Sequence, residues 1–106
     1  MKNIEIVNCI NNLDEFIKKD IPVSYKVRRA IIKNRQALID EYNLFDEERQ
    51  RILKSGKGQE DINKELNNII YNEDIDISFI MINENDLEIE GMSVKDELIL
   101  DFMIEK

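Results

Sequence analysis

The sequence predicts an α+β fold that is predominantly α-helical and forms a single domain over residues 1–106. In residues 3–72, apolar side chains recur every three or four positions, which is the period of amphipathic helices. Residues 75–82 instead begin with alternating apolar and polar side chains, which is typical of a strand. One proline and three glycines leave few helix breakers in the chain. We therefore expect a helical part over 3–72, followed by a strand or β-hairpin and a terminal helix over 73–106.

The first helix is predicted over about residues 3–19. Ile6, Ile10, Leu13 and Ile17 are separated by steps of four and three, so they share one helix face. Pro22 favours an extended conformation in the residue before it and therefore ends this helix.

The second helix is predicted to be long, from residue 23 to about residue 55. Its apolar residues recur at intervals of seven, at Ile31, Leu38, Phe45 and Ile52. A helix of this length extends about 48 Å at 1.5 Å per residue, which is more than a domain of this size needs for its own core. We therefore expect these four residues to mediate self-association as a homodimer, with the strand predicted at 75–82 as the alternative contact. A break near Asn43 is the competing possibility.

The remaining elements are shorter. Gly56 and Gly58 favour a turn, and a third helix is predicted over about 59–72. Residues 75–82 predict a strand, with a second alternating run at 87–90 as its hairpin partner. Ser93 is a suitable N-cap for the terminal helix, whose apolar face is predicted to include Val94, Leu98 and Phe102.

Composition excludes several kinds of chemistry. The chain has no histidine and a single cysteine, Cys9, so imidazole catalysis, an internal disulfide and cysteine zinc clusters are excluded. The Gly56-Lys57-Gly58 stretch lacks the spacing of a phosphate-binding loop. Without a nucleophile and base pair, the sequence predicts a protein that is not an enzyme and has no cofactor.

Apolar runs are too short to cross a membrane, since the longest spans only residues 79–82. The first residues also lack the apolar stretch of a signal peptide. The expected location is the cytoplasm of a host cell, with no membrane partner.

The distribution of charge suggests where a partner binds. The formal net charge is −8, which opposes binding to bulk nucleic acid. A basic block at the start of the second helix could bind phosphate or an acidic surface, or could pair with the acidic C-terminal half of the same chain. Its candidate binding residues are Lys26, Arg28, Arg29 and Arg35, and Lys33 lies among them.

Acidic residues are concentrated in the last part of the chain. The candidate binding residues there are Asp76, Glu84, Asp86, Glu88 and Glu90. These carboxylates could serve solubility, imitate nucleic-acid phosphates in an inhibitor of a host defence nuclease, or bind the divalent ion of a small metal-dependent hydrolase. No EF-hand spacing is present, and no metal ligands are assigned.

The order of several short motifs resembles an uncharacterised family of small phage and prophage proteins of Gram-positive hosts. These motifs are Asn-Ile-Glu-Ile-Val-Asn at the start, Phe-Asp-Glu-Glu-Arg at 45–49, Glu-Leu-Asn-Asn-Ile-Ile at 65–70, Ile-Asp-Ile at 75–77 and the closing residues 98–105. The resemblance implies a viral accessory or structural protein and brings no catalytic residues. Together with the charge pattern, it favours a non-enzymatic protein that contacts a basic host or phage protein.

Overall fold

The structure, a computed structural model, describes residues 1–87, 89 and 91–105. It contains four α-helices: α1 (Asn3–Lys18), α2 (Tyr25–Leu53), α3 (Gln59–Asn67) and α4 (Val94–Leu100). Two short strands, β1 (Ile82–Asn83) and β2 (Ile104–Glu105), form a parallel pair. The predominantly helical α+β fold predicted from the sequence is confirmed.

Helices α1 and α2 form an antiparallel hairpin, and local side chains fix its turn. Asp20 adopts a positive φ of 52°, which ends α1, and Pro22 follows in the extended linker. The Ser24 hydroxyl then accepts a hydrogen bond from the backbone N–H of Val27 and caps α2. Across the hairpin, Arg35 Nε donates to Asp14 Oδ1 at 2.7 Å. The turn and this ion pair together hold the two helices side by side.

Helix α2 is continuous and has no break at Asn43. Its 29 residues make it about 44 Å long at 1.5 Å per residue. The molecule is accordingly elongated, with extents of 53 × 23 × 19 Å.

The main hydrophobic core lies between the inner face of the α1–α2 hairpin and the C-terminal part of the chain. α1 contributes Ile6, Leu13 and Phe16, and α2 contributes residues that include Val27 and Leu38. The C-terminal segment closes the other side with Ile82, Leu87, Leu100, Met103 and Ile104. Helices from the start of the chain therefore depend on its last elements for burial.

The four residues predicted to mediate self-association are covered within one chain. Ile31, Leu38, Phe45 and Ile52 are between 0% and 7% exposed. The inner part of α2 packs into the main core, and the far end is covered by the segment that includes α3 and the following turn. The prediction that these four residues form a surface for self-association is therefore wrong. Later segments of the same chain cover the face of α2 on which they lie.

The predicted third helix occurs in two parts. After α3, residues Asn68–Asn72 form a π-helical turn, in which the Glu73 N–H donates to the Asn68 carbonyl at 3.2 Å. The buried side chain of Asn3 donates through Nδ2 to the carbonyl of Ile69 at 2.7 Å. This bond satisfies a carbonyl at the end of the helix and ties it to the start of α1.

The strand predicted over 75–82 is formed only at its end, in β1. Residues 75–81 are extended, and Ile75, Ile77 and Phe79 are partly buried in the alternating pattern that the sequence predicts. Except at Ile75, whose N–H donates to the Met1 carbonyl at 2.9 Å, their neighbour is the helical hairpin, and no ladder forms along residues 75–81. Instead, Asn34 of α2 hydrogen-bonds both backbone groups of Ile80.

The hairpin with residues 87–90 is also wrong for the part of it that the structure describes. Residues Glu84–Leu87 form a 3₁₀ turn, closed where the Asn83 N–H donates to Asp86 Oδ2 at 3.1 Å. β1 pairs instead with β2, with Ile82 opposite Ile104.

Candidate functional site

An acidic cleft lies where the turn Glu84–Leu87, helix α4 and strand β2 meet. We call it the C-terminal cleft, and its volume is about 210 Å³. Three of its lining residues carry carboxylates, and the others are apolar: Glu84, Leu87, Val94, Glu97, Leu98, Asp101 and Ile104. The cleft therefore presents negative charge around an apolar floor.

The position of α4 in this cleft is fixed by a buried carboxylate. Asp96 is 1% exposed and accepts hydrogen bonds from the backbone N–H of Ser93 at 3.0 Å and from Lys19 Nζ at 2.8 Å. The ammonium group of Lys19 and the bonds from Ser93 lower the pKa of the Asp96 carboxyl. Ser93 and Asp96 thus cap α4, and the bond from Lys19 to Asp96 anchors the first turn of α4 to the end of α1.

Helix α4 turns two large apolar side chains towards solvent. Val94 is 74% exposed and Leu98 is 69% exposed, although the sequence predicts them on the apolar face of this helix. This orientation of α4 has a physical reason. Once Asp96 is held in the interior by Lys19 and Ser93, the inward face of α4 is the one that carries Asp96 and Leu100, and Val94 and Leu98 must point away from it.

The predicted basic site is divided by the fold. Lys26 Nζ lies 3.1 Å from Asp86 Oδ2, so one basic residue pairs with the acidic half of the chain, as one sequence interpretation suggested. Arg35 pairs with Asp14 of α1, and Arg28 lines a separate cleft between α1 and α2. Arg29 is exposed. These residues do not form one binding site, because Lys26 and Arg29 lie on a different face of α2 from Arg28 and Arg35.

The predicted acidic residues have different surroundings. Glu84 is exposed and lines the C-terminal cleft, and Asp76 is exposed on the extended segment. Asp86 is held in the ion pair with Lys26, and the hydrogen bond from Lys26 is the main cause of its lowered pKa, with the Asn83 N–H second. Glu88 and Glu90 lie outside the described residues. The sequence thus identifies one member of the cleft, Glu84, and misses Glu97 and Asp101.

The signal for the missed residues is present in the sequence but ambiguous. Glu97 and Asp101 are four positions apart, which places them on one helix face beside Leu98. The assignment of Leu98 to the buried face hides this grouping.

The described residues carry neither a metal-binding cluster nor a thiol that ionises at neutral pH. Within 1–87, 89 and 91–105, no group of three or more carboxylate or thiol side chains is arranged to hold a metal ion. Burial raises the pKa of the Cys9 thiol to about 11, so this thiol is protonated at neutral pH. In the part of the chain that the structure describes, no helix is both long and apolar enough to cross a bilayer.

No protein-family model, curated protein or solved structure matches this chain.

Proposed function

We propose that this chain is a non-enzymatic phage or prophage protein that acts by binding another protein through its C-terminal cleft. The observation that carries the proposal is the exposed pair Val94 and Leu98, which lies between carboxylates from the 3₁₀ turn and α4. Apolar side chains that are about 70% exposed gain free energy when a partner covers them. The surrounding carboxylates select a partner with basic side chains.

Charge in this region is only partly neutralised within the chain. Asp86 is paired with Lys26, but Glu84 and Glu97 have no ion-pair partner among the described residues. Binding to a basic surface would therefore add ion pairs without breaking existing ones. Such contacts raise the association rate and weaken as salt increases.

A nuclease is one class of partner that fits this surface, because a nucleic-acid cleft carries a row of basic side chains. In that case the chain would be an inhibitor that competes with DNA. Competition with duplex DNA therefore tests the inhibitor role separately from binding itself.

Affinity capture from the lysate of a Gram-positive host tests the proposal. We expect the immobilised wild-type chain to retain a basic protein at 0.1 M salt and to release it at about 0.5 M, where the Debye length is less than half as long. The variant with Glu84→Gln and Glu97→Gln, and the variant Leu98→Ser, should each bind the purified partner at least about 10-fold more weakly.

The matched control changes two exposed carboxylates elsewhere, Glu47→Gln on α2 and Glu60→Gln on α3, so its net charge equals that of the first variant. It should bind as the wild type does. Equal binding by the cleft variants and the wild type would rule out this site.

A further inference from the structure

One side of the α1–α2 hairpin, at the edge of the core, carries a second line of apolar residues. One groove of about 370 Å³ has Val7 and Ile10 of α1 opposite Ile39 and Tyr42 of α2. A second groove of about 180 Å³ has Ile17 beside Ile32. We call the two grooves together the outer seam: Val7, Ile10, Ile17, Ile32, Ile39 and Tyr42.

A single ion pair interrupts the outer seam at its centre. Asp14 and Arg35 are 2.7 Å apart and lie between the two grooves. Their side chains are 39% and 35% exposed, so their polar atoms can reach a molecule that docks there.

The spacing of the seam residues is that of helices that pack on a partner. On α1 the seam residues together with Asp14 occupy positions 7, 10, 14 and 17, and on α2 the seam residues together with Arg35 occupy positions 32, 35, 39 and 42. Both sets advance by three, four and three residues, which is the a and d pattern of a helical bundle. The buried core residues of α2 form a separate line, and of the seam residues Ile10 and Tyr42 also pack against the edge of the core.

The seam is only partly covered. Ile17 is 46% exposed and Ile32 is 58% exposed, while Ile10, Ile39 and Tyr42 are half-buried. Such a surface, spread over two neighbouring helices, fits two further helices laid across it.

We propose that the outer seam binds the same seam of a second copy of this chain, giving a four-helix bundle. A two-fold axis parallel to the helices places α1 of each copy on α2 of the other. Because Asp14 and Arg35 lie at the same level of the hairpin, this axis brings Asp14 against the partner's Arg35, and the reverse contact follows from symmetry.

Charge complementarity is the reason to assign the seam to a second copy. After this rotation the acidic residue of each copy faces the basic residue of the other copy, because both residues lie at the same level. A polar layer of this kind fixes the register of a bundle. All neighbouring helices are then antiparallel, so their dipoles also match. A two-fold axis across the helices would instead place Asp14 on Asp14. This proposal uses a different face from the C-terminal cleft and does not rest on the function proposed above.

Sedimentation equilibrium tests the proposal with the whole chain. The wild type should show a mass of twice 12.6 kDa at about 100 μM. Ile32→Glu should return the mass to 12.6 kDa with unchanged helix content by circular dichroism. The matched control is Leu44→Glu, which lies on the same helix outside the seam and is 61% exposed against 58% for Ile32. It should remain a dimer.

A charge exchange tests whether Asp14 and Arg35 lie at the contact between the two copies. D14R alone and R35D alone each place like charges together in a homodimer and should be monomers. An equimolar mixture of the two should form a heterodimer, because each basic pair then faces an acidic pair. A monomeric wild type at 100 μM, an unaffected Ile32→Glu variant, loss of the dimer in Leu44→Glu, or no association in the mixture would each overturn the proposal.

Discussion

Asn34 takes the place of a neighbouring strand for Ile80. Its Nδ2 donates to the Ile80 carbonyl at 2.9 Å, and its Oδ1 accepts from the Ile80 N–H at 2.7 Å. The side chain is 1% exposed in the middle of a helix. One buried amide therefore connects α2 to the extended segment that a sheet would otherwise hold.

Replacing Asn34 should weaken the fold. Asn34→Ala removes two hydrogen bonds to the Ile80 backbone, each of which contributes about 0.5–1.5 kcal/mol, so the free energy of unfolding should fall by about 1–3 kcal/mol. Urea denaturation followed by circular dichroism measures this cost. Asn43→Ala, at an exposed site on the same helix, should cost less than about 0.5 kcal/mol. Similar losses in the two variants would show that the Asn34 bonds contribute little.

The Asp96 carboxylate should make stability depend on pH. Because the pKa of Asp96 is lower in the folded chain than in the unfolded chain, ionised Asp96 stabilises the fold above its unfolded pKa of about 3.9. That stabilisation is lost as pH falls through the folded pKa.

Urea titrations at several pH values check this dependence with Asp96→Asn. The variant should be less stable than the wild type at pH 7, and the difference should shrink below about pH 4. Asp76→Asn, at an exposed carboxylate, is the control and should follow the wild type at every pH. A difference for Asp96→Asn that does not change with pH would exclude the linkage.

Burial of Ile52 should stabilise the end of the molecule where α3 packs on α2. It is 2% exposed, so Ile52→Ala should cost about 2–5 kcal/mol. We expect the loss to fall first on α3, which packs at that end and lies outside the main core cluster. Hydrogen exchange should show faster exchange in residues 59–67 than in α1. Uniformly faster exchange along the chain would mean that the two ends unfold as one unit.

Cys9 should be a slowly reacting thiol. Its pKa of about 11 leaves very little thiolate at pH 7.5, and the side chain is partly buried. Labelling by iodoacetamide should therefore be at least about 100-fold slower than labelling of free cysteine, and urea should restore the normal rate. Rapid labelling of the folded chain would show that α1 opens readily.

Sequence periodicity was sufficient for the helices and insufficient for the strands. Steps of three and four located α1, α2 and α3 because a helix satisfies its own backbone and needs only a buried face. The alternation over 75–82 correctly indicated an extended segment with one buried side. It did not reveal the partner, because alternation reports burial and the buried side here packs on helices, with Asn34 supplying the bonds.

The candidate site was less predictable for a related reason. Glu84 was identified from charge alone, but the orientation of α4 depends on Lys19 meeting Asp96 across 77 positions of the sequence. Without that contact, the apolar Val94 and Leu98 are the natural choice for the buried face. Because the Asp96 carboxylate is buried, α4 turns inward a different face from the one that the apolar periodicity predicts.

The elongated shape of the chain affects how its mass is measured. The radius of gyration is 16.6 Å, compared with about 13 Å expected for a compact chain of this length. A particle 53 Å long and about 20 Å wide diffuses more slowly than a sphere of equal mass. It therefore elutes early from a gel-filtration column, and a single copy resembles a larger globular protein. Static light scattering and sedimentation equilibrium avoid this error because neither infers mass from the hydrodynamic radius.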